Sequence, residues 1–207
     1  MLDFKKEIKE AFVENKMAII LSVAILLISL ILGYFLESYL HPYLNPVVEQ
    51  FSKQVESGAI KLTFHSIFSN NIRIVFMMFL FGVFFCFSAL ILAFNGFFVG
   101  YFTATTDNLF NTLLLLIPHG IFEFSSCILA CSSGFVLFKF ILRFFKSISK
   151  KEDASLSNKA YESYVENFDK LKQSIILLLL AAVLMVIAGL IEVYLTVPIA
   201  NFLNSII

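Results

Sequence analysis

Long apolar stretches dominate the chain, and polar residues separate them at only a few places. The first stretch, residues 17–36, carries no charge, and the last, residues 174–195, carries only the carboxylate of Glu192. A helix of about 20 apolar residues is long enough to cross a bilayer. Each stretch therefore predicts one membrane span, and the whole pattern predicts an all-α fold, a polytopic transmembrane helical bundle.

The middle stretch, residues 72–142, is too long for one span. Two groups of helix-breaking residues divide it, with Gly96, Pro118 and Gly120 as the expected breaks: Asn95-Gly96 and Pro118-His119-Gly120. The polar run 103–108 lies between them and predicts a discontinuous segment, because irregular backbone at membrane depth must be buried in protein or face water. The expected spans are 72–94, a broken 97–117, and 119–142.

The polar regions predict how these spans are oriented. Eight of the 15 Lys and Arg residues lie between positions 139 and 173, and positive residues accumulate on the cytoplasmic side of membrane proteins. Region 143–173 is therefore expected in the cytoplasm, and region 37–71, which contains an amphipathic pattern, at the extracytoplasmic interface. A topology with four spans and one with five place nearly the same number of basic residues on the cytoplasmic side, so charge does not decide between them. Five spans are preferred because the middle stretch has room for three crossings.

Composition supports a single integral membrane domain over residues 1–207 and excludes other classes. Apolar residues make up 59% of the chain and charged residues 14%, against roughly 45–50% and 25% in soluble domains. The net charge is zero, so no basic face for nucleic acid is expected. No phosphate-binding loop, nucleophile elbow or zinc-ligand pair occurs in the sequence, so no cofactor and no resident metal are assigned, and an enzyme is not the favoured class. The expected surroundings are the lipid bilayer of a cell membrane.

Small residues recur every three or four positions along the second predicted span. Such a face lets two helix backbones approach closely, and this contact replaces the hydrophobic force that is absent in lipid. The partner helix is expected within the chain, in a second copy of it, or in another membrane protein. The residues of this face are Gly82, Cys86, Ala89, Ala93, Gly96 and Gly100.

A few polar residues inside the predicted spans are candidates for function, because an ionisable group in lipid costs free energy. His119 and Glu123 lie one helical turn apart, and Glu192 lies in the last span. They can fasten the bundle, relay protons, line a solute path, or hold a metal ion with Asp107 or Glu192. The spacing H-x-x-x-E is not the H-E-x-x-H of metalloproteases. The candidate polar site comprises His119, Glu123, Glu192, Asn95 and Asp107.

Three motifs carry a resemblance to a known family. They are an N-G-x-x-x-G run from Asn95 to Gly100, a P-H-G-x-x-E run from Pro118 to Glu123, and Ile191-Glu192 near the end of the last span. Together they resemble the stage II sporulation protein M family, and the resemblance extends over about residues 5–200.

The resemblance implies a membrane scaffold without established catalytic activity, which in spore-forming cells acts with peptidoglycan-degrading partners during engulfment. The leading hypothesis is therefore a polytopic scaffold, self-associating or recruiting other membrane proteins, as in envelope remodelling complexes. One alternative is a small transporter or channel that uses its intramembrane carboxylates, and a weaker one is an intramembrane metal-dependent hydrolase. A water-filled cavity that reaches Glu123 would favour transport, whereas a dry bundle with a broad exposed small-residue face would favour a scaffold.

Overall fold

The computed structural model describes residues 4–57, 64–151 and 155–206, and this part of the chain contains helices and no strand. A 3₁₀ turn, Phe81–Val83, joins the fourth and fifth helices. The helices are α1 (Phe4–Glu14), α2 (Lys16–Phe35), α3 (Glu37–Glu56), α4 (Phe64–Leu80), α5 (Phe85–Ala104), α6 (Leu109–Lys150), α7 (Leu156–Tyr194) and α8 (Thr196–Ile206). Five segments are long and apolar enough to cross a membrane, namely α2, His65–Val83, α5, α6 and α7. The prediction of an all-α transmembrane bundle is confirmed.

The helix boundaries in the middle of the chain differ from the prediction. Helix α5 continues through Gly96, and α6 continues through Pro118 and Gly120, so the predicted breaks at these three residues are wrong. Gly96 lies inside the continuous helix α5, and its missing side chain allows close packing against α2. A proline inside a membrane helix removes one backbone hydrogen bond, and neighbouring helices and local adjustment of the backbone make it tolerable.

The interruptions that the structure does contain lie at Phe84 and at residues 105–108. Phe84 is extended, with φ −112° and ψ 98°, and separates the 3₁₀ turn from α5. The polar run interrupts the helix as predicted, and the Asn108 side chain caps α6 by accepting a hydrogen bond from the Asn111 backbone at 3.0 Å. However, this loop joins two complete helices, so the predicted discontinuous span 97–117 is instead the end of α5 and the start of α6.

Helices α2 and α5 run parallel, and their backbones touch. Gly96 lies against Leu26, and Gly100 lies against Leu30, so both helices progress in the same direction. A Cβ atom added at Gly100 would overlap the backbone carbonyl of Leu30, and one added at Gly33 would overlap α5 in the same way. Glycine is therefore what allows this pair to form.

Helices α6 and α7 run antiparallel and make the largest contact in the bundle. Hydroxyl groups join them: Ser126 donates to the Ala181 carbonyl and Ser174 donates to the Ser133 carbonyl, each at 2.7 Å. In lipid, small side chains and such interhelical hydrogen bonds supply much of the attraction between helices.

Contacts of the N-terminal segment with α7 define the two ends of the bundle. Asn15 donates to the Gln173 side chain at 2.8 Å, and Lys170 forms an ion pair with Glu14 at 2.6 Å. We call this the Gln173 end, and we call the opposite end, where α8 begins, the Thr196 end. Because α1 and the polar half of α7 lie at the same end, the number of crossings is odd, which fits five spans and not four.

Helices α6 and α7 extend beyond the bundle at the Gln173 end. They contain 42 and 39 residues, about twice the length needed to cross a bilayer. We call the projecting residues 137–150 and 156–172 the hairpin, and most of the basic region 143–173 belongs to it. Region 37–71 begins where α2 ends, at the Thr196 end of the bundle. It contains α3 and the start of α4, and residues 58–63 within it lie outside the described part of the chain. That the hairpin faces the cytoplasm stays a prediction.

Candidate functional site

Three ionisable side chains meet near the Thr196 end of the bundle. One nitrogen or oxygen atom from each of His119, Glu123 and Glu192 lies within 4.8 Å of the others, and each residue is half-buried. His119 and Glu123 lie one turn apart on α6, and the antiparallel pairing brings the end of α7 beside them. We call these three residues the His–Glu–Glu cluster.

A hydrogen-bond contact with Thr196, at the start of α8, orients His119. Nδ1 of His119 lies 3.3 Å from Oγ1 of Thr196, and that hydroxyl in turn donates its hydrogen to the Ile191 carbonyl at 3.1 Å. With the Thr196 hydroxyl bonded to the Ile191 carbonyl, the oxygen can accept from the tautomer of His119 that carries its proton on Nδ1. The lone pair on Nε2 is then available to a cation or to a proton donor.

The two carboxylates of the cluster have no compensating partner within the described residues. Neither Glu123 nor Glu192 takes part in an ion pair there, and the Lys side chains that form such pairs lie elsewhere. Like charges at this distance and in partial burial disfavour each other strongly. Protonation of the carboxyl groups or binding of a cation would remove this repulsion.

A groove between α4 and α5 leads to Glu123. Its volume is about 520 Å³, and its walls are mainly apolar side chains such as Ile74, Leu90 and Phe94. Its polar groups are Asn70, Asn71, Asn95 and Glu123. Asn95 also lies beside Cys127, with Nδ2 at 3.9 Å from Sγ. We call this space the Glu123 groove.

The other residues named from the sequence fall in different places. Asp107 is exposed on the loop 105–108 and does not belong to the cluster, so the hypothesis that it shares a metal ion with His119 and Glu123 is wrong. Gly82 lies in the 3₁₀ turn and approaches Gly134 of α6.

The predicted small-residue face is therefore not one continuous face. Gly96 and Gly100 are covered by α2 of the same chain, Ala89 and Ala93 are half-buried, and Cys86 is exposed. The close glycine contacts serve packing within the chain. Two more glycines inside apolar runs take part in such contacts: Gly134 lies against Gly82, and Gly33 lies against the backbone of Phe97.

Comparison with known proteins gives a family and two relatives. The family model for stage II sporulation protein M matches residues 22–197. The uncharacterized protein MJ0793 of Methanocaldococcus jannaschii is 34% identical over 150 residues, covering 70% of this chain and 76% of its own length. The uncharacterized protein MJ0706 of the same organism is 28% identical over 211 residues, covering 97% and 91%. No solved structure matches the chain.

Proposed function

The chain belongs to the stage II sporulation protein M family, and we propose that this multi-pass membrane protein is a small transporter that uses its intramembrane carboxylates. The single observation that carries the proposal is the Glu123 groove, which leads from the side of α4 and α5 to a carboxylate of the His–Glu–Glu cluster. A scaffold does not require such a space.

The size and lining of the groove support binding of a small solute. Its volume of about 520 Å³ falls within the range of roughly 300–1,000 Å³ that ligand pockets occupy. Apolar walls with a few convergent polar groups are typical of such pockets. The one carboxylate that lines the groove is that of Glu123, and Glu192 lies beside it in the cluster. These acidic groups favour a cation or exchangeable protons over an anion.

The packing of the small residues also supports this choice. Gly96 and Gly100 contact α2 of the same chain, so these residues offer no broad small-residue face to a partner helix. The Glu123 groove, by contrast, gives access to an intramembrane carboxylate.

Proton and cation flux through reconstituted vesicles tests the proposal. Vesicles loaded with a pH-sensitive dye receive gradients of Na⁺, K⁺, Mg²⁺ or Mn²⁺, and dye fluorescence and internal ion content are recorded. We expect flux above that of protein-free vesicles, and its loss in Glu123→Gln. The matched control is Glu37→Gln, which removes a carboxylate from α3 instead. Flux equal to that of empty vesicles for every gradient, or flux unchanged in Glu123→Gln, would contradict the proposal.

A scaffold function is a second candidate, favoured by one face of the hairpin. Tyr161, Val165 and Phe168 are 71%, 56% and 42% exposed and recur at helical spacing on one face of α7. Because the hairpin projects beyond the bundle, we expect this face to lie outside the bilayer, and a second copy of the chain is the proposed occupant. In detergent, the parent protein should then have the mass of a dimer, and the double variant Tyr161→Ser/Val165→Ser should have the mass of a monomer. The control Tyr43→Ser, on α3, should remain a dimer. A monomeric parent protein would exclude this function.

A further inference from the structure

We propose that the His–Glu–Glu cluster binds one divalent transition-metal ion of the Zn²⁺, Co²⁺ and Mn²⁺ type. That the ion is the transported substrate rests on the transport function proposed above, whereas the binding site itself rests on the geometry alone.

The ligand set fits this class of metal. One imidazole nitrogen and two carboxylate oxygens lie within 4.8 Å of one another. Ligand atoms around a metal at bond lengths of about 2 Å stand up to roughly 4 Å apart, so small side-chain rotations suffice to close the site. Imidazole combined with carboxylates suits Zn²⁺, Co²⁺ and Mn²⁺, whereas sites of oxygen ligands alone suit Mg²⁺ and Ca²⁺.

The hydrogen bond from His119 to Thr196 is the second observation in favour of a metal. Ligating histidines almost always donate their other ring N–H to a neighbouring acceptor, which fixes the tautomer and the orientation of the ring. Nδ1 of His119 lies 3.3 Å from Oγ1 of Thr196, and only 5% of Thr196 is exposed. With the proton on Nδ1, Nε2 would be the ligand atom.

The charge of the cluster favours a divalent ion over a monovalent one. When both Glu123 and Glu192 are ionised, they carry two negative charges at a half-buried position, and no Lys or Arg of the described residues forms an ion pair with either. One divalent cation neutralises both charges, whereas a monovalent cation leaves one charge uncompensated in a costly place.

Three protein ligands leave at least one coordination position open for water or for exchange. Glu123 is both a member of the cluster and part of the lining of the Glu123 groove. The groove is therefore the route by which the ion enters the site, and its apolar walls limit how many water molecules accompany it.

Titration with Co²⁺ tests the site on the full-length protein in detergent. After treatment with a chelator, the protein receives Co²⁺ while its d–d absorption bands are recorded, and bound cobalt is counted by elemental analysis. We expect one Co²⁺ per chain with imidazole and carboxylate ligation. His119→Ala and Glu192→Ala should each weaken binding more than about 100-fold, because each removes a direct ligand.

A second His–Glu pair in the chain is the matched control. Nδ1 of His41 lies 2.7 Å from Oε1 of Glu37, one turn away on exposed α3, and the pair has no third ligand within the described residues. His41→Ala should leave Co²⁺ binding unchanged. If His119→Ala or Glu192→Ala does not fold, Thr196→Val takes its place, since it keeps all three ligands and should weaken binding 10- to 100-fold through loss of orientation.

The possible results separate the site from the transport function. No Co²⁺ bound by the parent protein at millimolar concentration, or undiminished binding in the cluster variants, would overturn the metal site. Proton flux without Co²⁺ binding would leave transport intact and overturn only the site. Co²⁺ binding that depends on the cluster, without flux of any ion, would support the site and overturn transport.

Discussion

At the residue scale, Gly100 shows how strictly a single position can be determined. A Cβ atom at this position would overlap the Leu30 carbonyl of α2, which is backbone and cannot move aside alone. Gly120 on α6 is also helical and buried, but there an added Cβ would lie 3.7 Å from its nearest neighbours, which is an ordinary contact. Two glycines of similar appearance in the sequence therefore have different roles.

These two glycines give a matched pair of substitutions. Gly100→Ala should lower the stability of the protein by about 1–3 kcal/mol, the usual cost of overpacking. Gly120→Ala should leave it unchanged or raise it by up to about 1 kcal/mol, because alanine favours the helix. Thermal unfolding in detergent measures both. Equal melting temperatures for the two variants would contradict the close contact between α2 and α5.

Glu123 allows a second test at the residue scale. Since its carboxylate forms no ion pair within the described residues and stands beside another carboxylate, we expect that it does not fasten the bundle. Glu123→Gln and Glu123→Ala should both retain the melting temperature of the parent protein while both lose Co²⁺ binding and flux. If Glu123→Ala alone loses about 1–3 kcal/mol of stability, which is the cost of leaving a buried polar group unpaired, the result would instead support a structural role for Glu123.

At the element scale, polar contacts hold α1 against α7. Lys170, whose side chain is 7% exposed, contacts Glu14, and Lys172 forms an ion pair with Glu7 at 2.8 Å. The hydrogen bond from Lys170, followed by that from Gln173, holds the pKa of Glu14 below its ordinary value. The N-terminal helix is therefore attached by charge as well as by apolar packing.

The lowered pKa predicts how this attachment depends on pH. A carboxyl whose pKa is lower in the folded state stabilises that state above its unfolded pKa, and the contribution is lost as pH falls through the folded pKa. Glu14→Gln should therefore destabilise the protein at neutral pH and lose less stability than the parent below about pH 4.5. The effect should not exceed about 1 kcal/mol, because the Glu14 side chain is 48% exposed and water screens the pair.

The control for this pH dependence lies on the same helix. Glu10 forms a longer contact, 3.8 Å, with the exposed Lys6. Glu10→Gln should leave the melting temperature and its pH dependence close to those of the parent, because exposed pairs contribute little. If Glu10→Gln and Glu14→Gln behave alike between pH 3 and pH 7, the attachment of α1 does not depend on Lys170.

At the scale of the whole molecule, the hairpin and α1 lie at one end of the bundle and α3 and α8 at the other. Five crossings would place these two groups on opposite sides of the membrane. Eight of the chain's 15 basic residues lie between positions 139 and 173, so we expect the Gln173 end in the cytoplasm. The Thr196 end, with the His–Glu–Glu cluster, would then lie toward the outer surface.

Cysteine labelling in intact cells tests this orientation. In a variant without Cys86, Cys127 and Cys131, Ser157→Cys on the exposed part of the hairpin should resist a membrane-impermeant thiol reagent until the cells are lysed. Ser38→Cys, exposed at the opposite end of the bundle, should react without lysis. Labelling of Ser157→Cys in intact cells would reverse the proposed orientation.

Hydrophobic pattern alone determined that this chain crosses a membrane as an all-α bundle. The reason is that lipid offers no hydrogen bonds to the backbone, so an apolar run of sufficient length must be helical. The polar run 103–108 was correctly predicted as an interruption for the same reason. The pairing of His119 with Glu123 also followed from their spacing, since residues four apart share a helix face.

Tertiary structure decided what the spacing could not. Whether Gly96 breaks α5 or allows it to pack depends on the backbone of α2, which lies some 70 positions earlier in the chain. The addition of Glu192 to the cluster and the orientation of His119 by Thr196 depend on α6 and α7 being antiparallel neighbours in the correct register. The local sequence pattern indicates whether a segment prefers to be helical. Close packing and the convergence of side chains depend instead on which helices become neighbours, and the packing of the whole bundle determines that.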